Sequence, residues 1–268
     1  MKYGFIGTGC MGGALATACA KAIGPENILL SNRSPEKARA LAEKLGAIPA
    51  DNETITRDCD VIFLGVKPQT MAQMLLPLQP ILTGRRTPFV LVSMAAGVTI
   101  EALQDMAGGR YPVVRIMPNT ACAVGAGMTT YTCSAEVTDR QRQAVLDALA
   151  ASGLLEEIEE GLMGAASAVA GCGGAYACLF LEGLADGGVL CGLPRKKAQR
   201  MAAQMLLGMA TQALESDEHT GTLKDAVCSP AGSTIAGIRK LESMSFRSAA
   251  MEAVIAAWER EREMQQQK

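Results

Sequence analysis

The chain has 268 residues, 49% hydrophobic and 19% charged, which excludes a disordered polymer and leaves room for one large domain or two smaller ones. Its formal net charge of −2, with no run of Lys and Arg, argues against nucleic-acid and membrane-surface partners. Nine cysteines with no C-x-x-C pair, and a single His219, argue against a disulfide framework or a zinc site and favour the cytoplasm.

MKYGFIG leads directly into a strand pattern and is too short for a signal peptide, and no apolar run reads as a membrane span. Short apolar runs then alternate with helical stretches. Tyr3–Ile6 reads as a strand and Met11–Ala22 as a helix. Ile28–Ser31, Val61–Val66 and Phe89–Ser93 are further strands, with helices at Pro35–Leu45, Gln69–Leu78 and Thr99–Met106. Val113–Met117 and Met128–Thr132 follow as strands, then a helix over Thr138–Ser152 with Thr138 as its N-cap. Continuous apolar strands alternating with helices imply a parallel sheet covered on both faces.

After Leu154–Ile158 no strand pattern returns. Residues 161–192, 194–215, 219–227, 230–242 and 244–262 read as helices, broken at Gly192-Leu193-Pro194, Asp217–Gly221 and Ser229-Pro230. Residues 161–192 are small and apolar but carry Glu182 and Asp186, which suits a buried helix of a soluble protein. The fold class is therefore α/β, with residues 1–160 as a nucleotide-binding domain and 161–268 as an all-helical one. Most cysteines are expected to act as small apolar core residues.

The first strand runs into GTGCMG, residues 7–12, a G-x-G-x-x-G at the start of a helix. Gly7, Gly9 and Gly12 permit a tight turn and close approach of the backbone to a pyrophosphate. The helix start presents free N–H groups to it. The second strand ends in SNRS rather than the acid that accepts from a ribose 2′-hydroxyl. Arg33 can pair with a 2′-phosphate, and Asn32 and Ser34 can donate to it, so NADP(H) is preferred and NAD(H) is the alternative. Ser34-Pro35 is equally a standard helix start.

SPAGSTIAG, residues 229–237, is small and uncharged. Ser229 reads as an N-cap and Pro230 as the first helical residue, which leaves the N–H groups around Ala231 to Thr234 open to a carboxylate. Thr234 adds a hydroxyl; the plainer alternative is a helical threonine bonded back to its own backbone. Lys67 reads as a loop residue beside the cofactor, Tyr176 as helix core needing a hydroxyl partner, and His219 as a surface cap.

These segments together resemble the pyrroline-5-carboxylate reductase family over nearly the whole chain. The resemblance is carried by GFIGTGCMGGAL, SNRS, GVKPQT, SMAAGVTI, VRIMPNTA, AGCGGAY, FLEGLADGGVLCGLPR and the stretch around residues 223–242. The last is close to the family's D-x-V-x-S-P-G-G-x-T-I. The resemblance implies an N-terminal Rossmann domain and a helical dimerisation and substrate domain. It implies reduction of 1-pyrroline-5-carboxylate to L-proline by hydride from NAD(P)H, the last step of proline biosynthesis. It also implies a homodimer through the helical domains, rings of dimers such as a decamer, and an active site shared between one chain's Rossmann domain and the partner's helical domain.

By the same resemblance the cofactor contacts are Gly7, Thr8, Gly9, Cys10, Met11, Gly12, Asn32, Arg33, Ser34, Asn52, Gly65, Val66, Lys67, Pro68, Met94 and Ala96. The substrate contacts are Glu160, Gly232, Ser233 and Thr234, with Thr234 near the ring nitrogen. The chain departs from the pattern at Ala231 (usually Gly), Cys172 (Ser), Gly174 (Pro) and Ala226 (Asn). A 3-hydroxyacid dehydrogenase of similar plan would carry a lysine early in the helical domain, yet the first after Gly161 is Lys196. A non-catalytic NADPH sensor would not need the open helix start with Thr234.

Overall fold

The computed structural model describes residues 1–266. Eight strands form one sheet: β1 (Tyr3–Ile6), β2 (Ile28–Ser31), β3 (Ile48–Pro49), β4 (Val61–Leu64), β5 (Val90–Ser93), β6 (Val113–Pro118), β7 (Gly127–Cys133) and β8 (Gly153–Glu157). Their order is β3-β2-β1-β4-β5-β6-β7-β8, and every pairing is parallel except β6 with β7. That antiparallel step follows from its connection, because residues 119–126 hold only a short 3₁₀ turn and cannot make a crossover.

Side chains alternate between two cores. Tyr3, Phe5, Val61 and Phe63 enter the core on one face; Ile6, Ile62 and Leu64 enter the core on the other. Phe5 and Phe63 are paired in register and stack at 4.3 Å between centroids. Burying each such ring contributes roughly 1.5–3 kcal/mol.

The faces are covered by α1 (Cys10–Ile23), α2 (Pro35–Leu45), α3 (Asn52–Asp58), α4 (Pro68–Leu75), α5 (Gln79–Gly84), α6 (Ile100–Ala107) and α7 (Asp139–Leu149). Thr138 caps α7 in a full capping box with Gln141. The helices expected over 69–78 and 138–152 end earlier, at Leu75 and Leu149, and each continues as a 3₁₀ turn. β3, α3 and α5 were not anticipated. They are two, seven and six residues long, too short to carry a period.

Contacts divide the chain into one unit of residues 1–171 with 257–268, and a second of residues 172–256. The single helix expected over 161–192 is α8 (Met163–Ala166), a π-helical turn at Ser167–Gly171, and α9 (Gly173–Leu190). The second unit continues with α10 (Arg195–Glu215), α11 (Thr220–Ala226), α12 (Ser233–Ser243) and the first half of α13 (Phe246–Gln266). Gly192, at φ +98°, turns the chain between α9 and α10, and Gly188 lies close to Ala198.

The expected burial of 161–192 does not occur within one chain. Ala185 is the one buried residue of α9, and α12 has none. Leu179 and Leu190 are 69% and 89% exposed, and Leu214 and Met251 71% and 59%. Glu160–Leu190 is also long and apolar enough to cross a membrane, against the sequence expectation. Only Cys19, Cys59 and Cys122 are fully buried; burial raises the Cys59 thiol to about 12, and Cys172, Cys178 and Cys191 are exposed.

Candidate functional site

The strand order reverses at β1, which pairs with both β2 and β4. The crevice beyond the ends of such strands is where parallel sheets bind ligands. Gly7 lies there at φ +101° and donates its N–H to the Ser31 carbonyl at 2.9 Å. A Cβ on Gly12 would sit 2.1 Å from the Gly7 carbonyl oxygen, and one on Gly65 2.4 Å from it, so these glycines are packed backbone to backbone. Gly9 has open space where its Cβ would be, and it precedes α1 with no side-chain cap. The first N–H groups of α1 are thus unmet by the chain and suited to phosphate oxygens.

A cleft of about 890 Å³ surrounds this turn. It brings together Gly7, Thr8, Gly9, Cys10, Asn32, Arg33, Ser34, Asn52, Gly65, Val66 and Lys67. Asn32 Nδ2 donates to Thr8 Oγ1 at 3.0 Å, which ties the second strand's end to the glycine turn. Ser31 Oγ donates to Asn52 Oδ1 at 2.5 Å. Ser34 occupies the N-cap position of α2 but its side chain makes no capping bond, so its hydroxyl stays available to a ligand. Met11, Gly12, Pro68, Met94 and Ala96 do not line the cleft. Gly12 is buried behind Gly7, and Met94 packs on the core. Lys37, Thr70, Gln73 and Met74 line it without having been anticipated. Lys37 stands three residues beyond Ser34, Thr70 three beyond Lys67, and Gln73 and Met74 three and four beyond Thr70, and that helical spacing from the anticipated residues was the available signal.

In the second unit, His219 caps α11, its Nδ1 accepting from Gly221 N at 3.0 Å. Tyr176 Oη donates to the Ala253 carbonyl at 3.1 Å, the partner its position requires. The expected helix start at Ser229-Pro230 is instead a turn, with Gly232 N donating to Ser229 O at 3.0 Å. Pro230 stands second in that turn and Ala231 third, at φ +55°, the pattern of a type II turn. Serine followed by proline suits either structure, so the start of α12 falls at Ser233, with Gly232 as N-cap. The Gly232 N–H is consumed by the turn. The open N–H groups belong to Ser233, Thr234 and Ile235, and all three residues are exposed. Thr234 is the second residue of α12 rather than part of its interior.

Glu160 belongs to the first unit. Its Oε1 accepts from Ile100 N at 2.7 Å and pairs with Arg115 Nη1 at 3.0 Å. Among the described residues no group of His, Cys, Asp and Glu is arranged to hold a metal ion.

Comparison with known proteins places this geometry among relatives. Residues 160–264 match the model for pyrroline-5-carboxylate reductase dimerisation, and residues 2–97 match that for NADP oxidoreductases, coenzyme F420-dependent. The chain is 40% identical to the pyrroline-5-carboxylate reductase of Methanosarcina acetivorans, over 98% of this chain and 97% of that protein. It is 38% identical to that of Escherichia coli, over 97% and 96%. It also resembles the solved structure of Plasmodium falciparum pyrroline carboxylate reductase with NADP bound, at a TM-score of 0.88 and 34% identity over 99% and 98% of the two chains.

Proposed function

The chain belongs to the pyrroline-5-carboxylate reductase family, and from that premise we propose that it reduces 1-pyrroline-5-carboxylate to L-proline with NADPH, using Thr234 and the start of α12 to hold the imine. The observation that carries the reading is that one chain holds both a glycine-packed cleft and an exposed, uncapped helix start bearing a threonine, and is 36–40% identical to reductases over nearly its whole length.

The cleft fits a dinucleotide. The open N–H groups at the start of α1 are available to it, and Gly9 leaves room for a pyrophosphate. NADP(H) is preferred over NAD(H). Support comes from Arg33, with Lys37 one turn further along α2, both lining the end where a 2′-phosphate would lie. When bound, the nicotinamide supplies hydride to the imine carbon. We read the Met94–Ala96 loop, which does not itself line the cleft, as the segment beside that end of the bound cofactor.

In this reading residues 1–160 are the cofactor domain and 161–268 the dimerisation and substrate domain, although contacts group residues 161–171 and 257–268 with the first. The substrate carboxylate accepts from the N–H groups of Ser233 and Thr234, where the helix dipole favours an anion. Gly232 serves as the small N-cap that admits it. The Thr234 hydroxyl hydrogen-bonds the ring nitrogen and orients the ring. A threonine is too weak an acid to supply the proton by itself, so it positions the nitrogen or relays a proton from water. Holding two reactants in register accounts for roughly 7–11 kcal/mol in favourable cases.

Two copies pair through the helical domain, completing each other's sites and assembling further into a ring such as a decamer. The uncovered apolar faces of α9 and α12 support the pairing. Nine cysteines without a bridge support the cytoplasm as the compartment. The test is turnover: NADPH oxidation that depends on pyrroline-5-carboxylate and yields proline, with NADH run in parallel. Absence of that turnover at saturating cofactor would reject the reading.

A further inference from the structure

Glu160 Oε1 carries two bonds of different origin. Arg115, its ion-pair partner, rises from β6 with a side chain only 3% exposed, whereas Glu160 is 33% exposed. Ile100, whose N–H it accepts at 2.7 Å, is the first residue of α6. Residues 94–99 run from the end of β5 to that point. The bonds within this loop are long: Met94 N to Leu64 O 3.5 Å, Ala95 N to Ser93 Oγ 3.4 Å, and Val98 N to Ala95 O 3.3 Å. Gly97 turns the loop at φ +69°. The bond to Glu160 is the shortest of these ties and the one with a charged acceptor. Charge-assisted bonds are about twice as strong as neutral ones.

We propose that Glu160, held in place by the buried guanidinium of Arg115, is a positioning residue for hydride transfer: it pins the first turn of α6 and thereby the Met94–Ala96 loop against the nicotinamide end of the cofactor. The proposal rests on reading residues 94–96 as cofactor contacts. Its chemistry is fixed by the donors present. Arg115 has two further donors, Nε and Nη2, that are buried without a partner among the described residues. Glu261 on α13, buried with its Oε1 unpartnered among the described residues, also feels the charge of Arg115. Neutralising Glu160 removes the ion-pair partner of Arg115, so the alanine variant is read beside Glu160→Gln, whose amide oxygen can still accept from Arg115 as well as from Ile100. Glu160 touches neither reactant; it acts through the Ile100 N–H.

Three variants of the intact enzyme separate the roles. Glu160→Ala removes both bonds. Glu160→Gln keeps an oxygen that accepts from Ile100. Ile100→Pro deletes the donor at a first helical position where proline is tolerated, after an extended Thr99. Single-turnover hydride transfer, with NADPH and with NADPH deuterated at the transferring position, is read together with substrate KM and hydrogen exchange at residues 94–100. The alanine and proline variants are expected to slow transfer roughly ten- to hundredfold, because small misplacements cost that much. Their isotope effect becomes more temperature-dependent, exchange at 94–100 accelerates, and substrate KM stays unchanged. Glu160→Gln recovers most of the rate. A raised substrate KM with an unchanged hydride step would overturn the proposal and make Glu160 a substrate contact. Rate loss that merely tracks loss of folded protein, with loop exchange unchanged, would overturn it as well. The premise has its own readout: NADPH should protect amides 94–97 in the parent. Without that protection the cofactor reading of the loop fails and takes the proposal with it, whatever the variants do.

Discussion

Ala231 holds a left-handed conformation, φ +55°, in the turn before α12. An L-residue pays roughly 1–2 kcal/mol there and glycine does not, which accounts physically for glycine at this place in the signature the chain resembles. Ala231→Gly is therefore expected to stabilise the protein by about 1 kcal/mol, read as a higher melting temperature. The cost is local, so kcat should barely change. Thr234→Ala should lower kcat/KM roughly ten- to thousandfold, overlapping the usual range for groups assisting proton transfer. Wild-type kinetics in that variant would remove the threonine from the mechanism. Arg33→Ala should raise KM for NADPH well beyond any change for NADH; equal losses would contradict a role at the 2′-phosphate.

Among the elements, α1 and its glycine turn have the least freedom. A methyl on Gly12 would lie 2.1 Å from the Gly7 carbonyl, a backbone atom that cannot swing aside. Gly12→Ala should sharply weaken NADPH binding in a fluorescence titration. The circular dichroism spectrum should persist, since the sheet core lies elsewhere. Thr138→Ala, at the capping box of α7, should cost about 1 kcal/mol of stability with no effect on turnover. On α13, burial raises the Glu261 carboxyl above its ordinary value, against the opposing pull of the Ser167 hydroxyl and of Arg115. A raised acid favours the fold most at pH below its unfolded value and loses that contribution as pH rises through the folded one. Glu261→Gln should therefore gain stability relative to the parent as pH increases from 4 to 8, as measured by melting temperature.

Across the whole molecule, the apolar faces of the helical unit are too extensive for an isolated chain. Leu179→Glu combined with Met251→Glu places charge on two residues 69% and 59% exposed, so the isolated fold should tolerate both. The expected result is a monomer in sedimentation that still binds NADPH but no longer turns over. A fully active monomer would show that each chain's site is complete by itself.

The amino-acid sequence by itself determined the long strands, the glycine turn and the family. A strand buried on both faces must be an uninterrupted apolar run, and close backbone packing at the crevice admits only glycine. It also named Thr8 and Asn32, which stand in the glycine turn and the SNRS after the first two strands, whereas Gly65 and Asn52 came only from the resemblance to the reductase family. Tertiary structure alone decided what local pattern leaves degenerate. Serine-proline serves a helix cap and a type II turn equally, so the start of α12 depended on the φ of Ala231 and the bond from Gly232 to Ser229. An apolar helix reads the same whether its cover comes from its own chain or another, so the exposure of α9 was not legible. Helical spacing puts Lys37 and Met74 on the same faces as Ser34 and Thr70, but that those faces border the cleft was decided by tertiary packing. The Arg115–Glu160–Ile100 contact joins residues up to 60 positions apart, a separation that no motif spans.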